Sequence, residues 1–425
     1  MAAARHALWL DGSVALPLKA LLDEAIRQAI GAQAGGLDVI IARLVPDAED
    51  GTRAAVCSRT SSLQDPSGGF DRFAEALARM YGLTTGMCAR LHQPLFPVRI
   101  LFEGPIVRSP PGPGPRHLPE YQHPEPGVAL VHEEPLSSLT SGSPAAPGPS
   151  LLPLAGVTYS CLYVPPGCGG AGQEEAAVAG LSARGIPRPP VILPVSGPDP
   201  GTGAQPGEAP LRDLFRLDWA PAWSRCQQRV GCGGAFDHLH AGHRVLLTMA
   251  WLSADATSLV GVTDDNMIRH KADVEHAQSA AERRRGVASL LAALTLLGRS
   301  RPGDRATTAP PSWAVVPISE PLGPTRDDPL LTALVVSRET ASGGQMINDV
   351  RAAAGLSILR VFTVPLVPGE GPDDKVSSTY LRRVLAQAAA AAEARGTAAP
   401  AGPPSGPLAS PAPAAGARPS APDRL

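Results

Sequence analysis

From Arg225 onwards the chain alternates strand-like apolar runs with helical segments, and no other feature narrows its fold so far. QQRVGCGG leads into a helical stretch over 241–253, and SLVGVTDD into one near 278–297. WAVVPISE leads into a short turn, LTALVVSRE into 344–354, and ILRVFTVPLV into a helix from about 378. Parallel strands need a crossover, and a helix supplies it while covering one face of the sheet. The pattern predicts βαβ units, and hence a Rossmann-like parallel sheet over residues 225–396.

Upstream the texture differs. Residues 1–103 read as a smaller mixed α/β domain: LKALLDEAIRQAI (18–30) has helical periodicity, and LDVIIARLV (37–45) is a strand-like run. FDRFAEALARMYG (70–82) reads as a helix ending on its Gly, with QPLFPVRILFEG as a following strand. Proline and glycine, 47 and 44 of 425 residues, concentrate elsewhere. They mark 104–150 as a linker, 151–224 as a partly ordered extension and 397–425 as a disordered Ala/Pro tail.

Charge and cysteine usage exclude several classes. With 37 basic against 39 acidic residues, the net charge of −2 argues against nucleic acid or an acidic membrane as an obligatory partner. No apolar run is long enough for a membrane span. The six cysteines contain no CxxC pair, and MAAARHALWLDGS carries too little positive charge for a transit peptide. A cytoplasmic protein with free thiols is the expectation.

Two segments carry chemistry. GGAFDHLHAGH (233–243) falls between a predicted strand and the helix starting near Ala241, where open α/β sheets bind ligands. Gly233 and Gly234 allow close backbone approach, and the helix start offers unpaired N–H groups to a phosphate. His240 and His243, spaced i, i+3, can address one ligand and stabilise charge on a transferring phosphate. The alternatives are a metal cluster of His238, His240 and His243, or a structural loop. KVSSTYLRR (375–383) opens the last helix; Ser377, Ser378, Thr379 and Arg382 suit the β- and γ-phosphates of a nucleotide. Its plain alternative is a Ser N-cap with a basic first turn. The chain has only three lysines, and two of them, Lys271 and Lys375, lie in this domain. PPGCGGAGQEE (165–175) has P-loop glycine spacing, but Gln173 and Glu174 stand where Lys and Ser/Thr belong.

GGAFDHLHAGH resembles the HxGH signature of the nucleotidyltransferase superfamily, in the form found in eukaryotic-type pantetheine-phosphate adenylyltransferases. KVSSTYLRR is similar to the superfamily's ISSTxIR motif, with Ser378 about 135 residues beyond His243. VVPISEPLGPTRDDP (315–329) and LVVSRETASGGQMINDVRAAAGL (335–356) resemble further blocks of that family. The resemblance implies adenylyl transfer from ATP, accompanied by Mg²⁺, to 4′-phosphopantetheine, with pyrophosphate released and no protein nucleophile. It implies that His240 and His243 are catalytic. Ser377, Ser378, Thr379 and Arg382 would bind the triphosphate. Gly233, Gly234 and Phe236 would lie along the nucleotide, and Lys271 would meet the acceptor phosphate. No metal-ligand set is assigned to the protein itself. Ala235 departs from the family's usual Thr. Nicotinamide-mononucleotide adenylyltransferases carry similar motifs, cytidylyltransferases add an RYVDE-like segment absent here, and a degenerate regulatory module is the non-enzymatic alternative.

Overall fold

The computed structural model describes residues 4–11, 18–42, 68–104, 129–131, 150–152, 157–165, 172–195, 215, 227–298, 310–369 and 375–397. Within them two parallel-sheet α/β units form. The first sheet has the order β3-β2-β1-β6-β7, with β1 Arg5–Asp11, β2 Leu37–Ala42, β3 Val98–Phe102, β6 Tyr159–Val164 and β7 Val191–Pro194. Every pairing in it is parallel. β1, β2 and β3 are buried almost throughout, as expected of strands covered on both faces. Helices α1 (Leu18–Gly31), α2 (Gly69–Arg90) and α3 (Gly172–Ser182) belong to this unit.

The second sheet runs β12-β11-β8-β9-β10-β4-β5. Its strands are β8 Gln227–Gly234, β9 Ala254–Thr263, β10 Ser312–Ile318, β11 Ala333–Ser337 and β12 Arg360–Val364, with β4 Ala129–Val131 and β5 Ser150–Leu152 at one edge. Only the β4–β5 pairing is antiparallel. The helices here are α4 Ala241–Ser253, α5 Asp265–Ile268, α6 Ala280–Leu297, α7 Ala341–Ala353 and α8 Ser378–Thr397. From β8 the chain steps outward through β9 and β10, then crosses back to place β11 on the other side of β8. The reversal sits beside β8, so the crevice beyond its carboxyl end is where a ligand binds in such sheets.

The βαβ alternation and the Rossmann-like fold expected from the sequence are both present. Three expectations need correction. The helix expected to stop at Gly82 runs on to Arg90. Met87 and Cys88 beyond it are buried, and the missing side chain of Gly82 faces Pro368 and Val367 at ordinary contact distance, so packing outweighs the glycine's weak propensity. The segment read as a linker supplies β4 and the first residue of β5, whose other two residues open the segment read as an extension. The segment read as an extension supplies β6, α3 and β7, which complete the first sheet. The remainder of 104–150, the PGCGGA stretch (166–171), and the tail beyond 397 lie outside the described residues.

The two units share one core. Leu8, Phe73 and Leu101 belong to the same buried cluster as Leu247, Trp313 and Phe362. Phe70 of α2 stacks on Phe362 of β12 with ring centroids 4.6 Å apart. Polar ties reinforce the joint: Arg99 donates to the Ser289 carbonyl at 3.2 Å and Arg184 to the Leu297 carbonyl at 2.9 Å. Helix α4 is buried from Val245 to Ser253, all round rather than along one stripe, because it sits inside this joint core. The first unit thus braces the helix on which the site is built.

Candidate active site

Strand β8 ends at Gly234 and the chain then turns sharply into α4. Phe236 and His238 both adopt left-handed backbone geometry, φ 52° and 47°, unusual for residues with side chains. Such strain persists where the surroundings over-determine it, and here they do. Arg283, buried on α6, donates to the carbonyls of Ala235 (2.8 Å) and Thr263 (2.7 Å) and to Asp265 (2.7 Å). Gln278 clamps the turn twice: its amide N–H donates to Asp237 Oδ1 at 2.9 Å, and its Oε1 accepts from the His238 N–H at 2.8 Å. Arg382 Nη1 closes the set, 2.7 Å from Asp237 Oδ2, with both side chains 1% exposed. Ser378 Oγ donates to the Asp237 carbonyl at 2.8 Å.

That last pair of contacts joins the two motifs. The start of α8 closes onto the turn that precedes α4, so the residues near 240 and near 378 share one site. Asp237 was not singled out in the sequence, yet it is the hinge of the arrangement. The signal was available: an acidic residue amid a Gly/His-rich turn that returns as a fully buried carboxylate must find a cation.

His240 occupies the N-cap of α4 without capping it, and no acidic side chain stands in the first turn. The orphan N–H groups and the positive end of the helix dipole are therefore left for a ligand. The His240 and His243 rings stack with centroids 3.8 Å apart. Among the described residues, the Nδ1 atoms of both are buried without a hydrogen-bond partner. Gly242 makes this possible: a Cβ there would meet the His240 ring at 3.2 Å. Burial first, then Arg244, His238 and Lys375, pull His240 down to about 3. Burial, His240, Arg244 and Lys271 hold His243 well below the ordinary imidazole range. Both rings are therefore neutral at physiological pH, and the cations that depress them create a field suited to a polyanion.

The other expected residues fall out as follows. Gly233 and Gly234 line the strand end, where a Cβ would make only ordinary contacts at 3.5 Å or more. The protein's own packing does not demand glycine at either position. Phe236 was expected along the nucleotide; instead it is fully buried and packs on the His243 ring at 5.2 Å. It is a core residue, because the left-handed turn rotates its ring inward. Arg382 was expected to present a free fork to phosphate; instead its Nε donates to the Ala272 carbonyl (2.8 Å), Nη1 binds Asp237, and Nη2 donates to Thr379 Oγ1 (3.1 Å). A buried carboxylate outbids solvent-facing chemistry for the guanidinium. Ser377 caps the helix by accepting from the Tyr380 N–H at 3.2 Å. What α8 presents to an anion is thus its dipole and first-turn N–H groups, with its hydroxyls turned to the protein. Lys271 is exposed, and partial desolvation followed by Arg382 lowers its pKa. Lys375 pairs with Glu339.

The metal-cluster alternative loses its first member, since His238 Nε2 lies 2.8 Å from the His276 carbonyl. Among the described residues no three His, Cys, Asp or Glu side chains are arranged to hold an ion. No helix of the described residues is long and apolar enough to cross a membrane.

Comparison with known proteins bears on the C-terminal unit. The family described as cytidylyltransferase-like matches residues 232–384, which begin in β8 and end just past Arg382. A phosphopantetheine adenylyltransferase of Saccharomyces cerevisiae is 33% identical over 160 residues, covering 37% of this chain and 48% of its own length. One from Pyrobaculum aerophilum is 36% identical over 158 residues, covering 37% of this chain and 92% of its own. The chain thus spans about half of the yeast relative and nearly all of the archaeal one. Through its C-terminal unit the chain belongs to the phosphopantetheine adenylyltransferase-like nucleotidyltransferases.

Proposed function

We propose that this unit transfers the adenylyl group of ATP to 4′-phosphopantetheine, giving dephospho-coenzyme A and pyrophosphate. The observation that carries the reading is the pair of neutral, stacked imidazoles at an uncapped helix start, within the field of Arg244, Lys271 and Lys375. In-line attack by one phosphate on another needs positioning and charge stabilisation, and no covalent intermediate. The N–H groups at the starts of α4 and α8 hold the triphosphate. His240 and His243 donate to oxygens as negative charge shifts towards the departing pyrophosphate. Lys271 receives the acceptor's phosphate. Mg²⁺ enters as the ATP chelate, because the nearby carboxylates are already engaged: Asp237 by Arg382, Asp265 by Arg283, and Asp264 near Arg284 at 4.0 Å. Ala235 lacks the family's Thr hydroxyl, and its carbonyl is held by Arg283.

Pyrophosphate release by the full chain tests this, with ATP and either 4′-phosphopantetheine or nicotinamide mononucleotide. Release with the first alone supports the reading. Release with the second alone transfers the assignment to that nucleotide, and release with neither favours a regulatory module.

A further inference from the structure

On the side of His240 facing the first unit lies a cleft that the transfer chemistry does not use. The N-terminal half supplies Thr84, Thr85 and Cys88 from α2, and Pro94 to Phe96 from the loop after it. The C-terminal half supplies His240 and Arg244. The cleft has a volume of about 40 Å³, room for about three waters or one small oxyanion. Of the residues assigned to the transfer site, His240 and Ala241 at the start of α4 border it; Gly233, Gly234, His243, Lys271 and Ser377 to Thr379 do not line it.

Arg244 is what makes the cleft unusual. Every other buried or half-buried arginine around it has an oxygen partner: Arg5 and Arg99 both bind Asp38, and Arg99 also reaches Ser289. Arg244 Nε is sealed from solvent and bonds nothing among the described residues. Among the described residues, the groups that act on it most are Arg5 and Arg99, which repel it, and the neutral Tyr81 and Cys88. No carboxylate stands in that set, and the one nearby, Asp38, is already shared by two arginines. A guanidinium drawn from water into such a position is costly unless an anion completes it. Its planar fork matches a phosphate or carboxylate. The apolar wall of Pro94, Leu95 and Phe96 gives such an anion's organic part somewhere to lie.

We infer that the cleft is an oxyanion site for a phosphate monoester, held by Arg244 from the C-terminal unit and the Thr85 hydroxyl from the first unit. The site exists only where both units meet, which gives residues 68–104 a ligand-binding part beyond their bracing role. The phosphate monoester is a phosphorylated effector separate from the acceptor, whose phosphate is given to Lys271, a residue that does not line the cleft.

The test uses the full chain and inorganic phosphate as probe, read by calorimetry and by the melting temperature. Wild type binds phosphate, Arg244→Met weakens binding at least tenfold, and Thr85→Val weakens it severalfold. Because Arg244 Nε bonds no protein group among the described residues, Arg244→Met in phosphate-free buffer melts at or above the wild-type temperature. A lower melting temperature would reveal a structural partner and overturn the inference. Binding is then repeated with the nucleotide site filled by α,β-methylene-ATP. Persistence supports a separate cleft, and disappearance places the phosphate in the triphosphate site and overturns it. Competition between phosphate and 4′-phosphopantetheine would place the anion in the acceptor's own site and overturn the inference, and its absence supports a separate effector. The Arg244→Met comparison reads the cleft whether or not adenylyl transfer occurs.

Discussion

Replacing Asp237 by Asn isolates the clasp between the two motifs. The substitution keeps the side-chain shape and leaves Oδ1 able to accept from the Gln278 N–H. It removes the negative charge from a site that is 0% exposed and faces Arg382, itself 1% exposed. Breaking a buried pair by neutralising one partner strands the other charge, at a cost of about 3–5 kcal/mol. Three contacts on Arg382 hold it in place, so it cannot swing out to water. Arg382→Met strands Asp237 with a cost of the same order. The double variant Asp237→Asn/Arg382→Met leaves no stranded charge and recovers about 2–3 kcal/mol of the summed loss. Urea unfolding of the four proteins gives the cycle directly. An Asp237→Asn cost below about 1 kcal/mol, or strictly additive single losses, would refute the clasp as the device joining the motifs. The clasp also sets the turn before α4, so any folded Asp237→Asn protein turns over more slowly.

His240→Ala or His243→Ala lowers kcat by about 10²–10³ with little change in melting temperature, measured as pyrophosphate release. Gly242→Ala pushes the His240 ring by a few tenths of an ångström while improving helix propensity, so kcat falls about tenfold and stability holds or rises. Phe236→Ala costs about 3–5 kcal/mol of stability, because the ring is core; a raised KM for ATP with unchanged stability would restore its role beside the nucleotide. His240 stays unprotonated in the fold down to about pH 3, whereas the unfolded chain takes up that proton near pH 6.5. Stability is therefore full above about pH 6.5 and falls below it, by about 1 kcal/mol per unit for this group. His240→Asn flattens that slope in melts at pH 7 and pH 5.5, and an unchanged slope contradicts the assignment.

The C-terminal fold was legible because periodicity and βαβ spacing are local signals, readable wherever helices and strands carry continuous apolar faces. The two helix starts were legible for the same reason: Gly233–Gly234 and Ser377–Ser378 are turn and cap chemistry written in neighbouring residues. Side-chain direction was not. Phe236 and Arg382 looked ligand-facing in a linear motif, but the left-handed turn and the buried Asp237 redirect both inward. The N-terminal sheet was half legible. β2 and β3 were read from their apolar runs, but β1 was not, and β6 and β7 join them from beyond a Pro/Gly-rich stretch, a non-local pairing that leaves no local trace. Nor could the sequence show that Arg283 on α6 ties together the ends of β8 and β9, since that contact spans 48 residues.

The central proposal is that His240 and His243 act beside the start of α8 on one ATP molecule. Mass analysis of the products formed by the full chain from ATP and 4′-phosphopantetheine reads that claim most directly. Wild type yields dephospho-coenzyme A in equal amount to pyrophosphate, and His240→Ala/His243→Ala yields almost none while remaining folded. Failure of wild type to form dephospho-coenzyme A, or undiminished formation by the double variant, would contradict it.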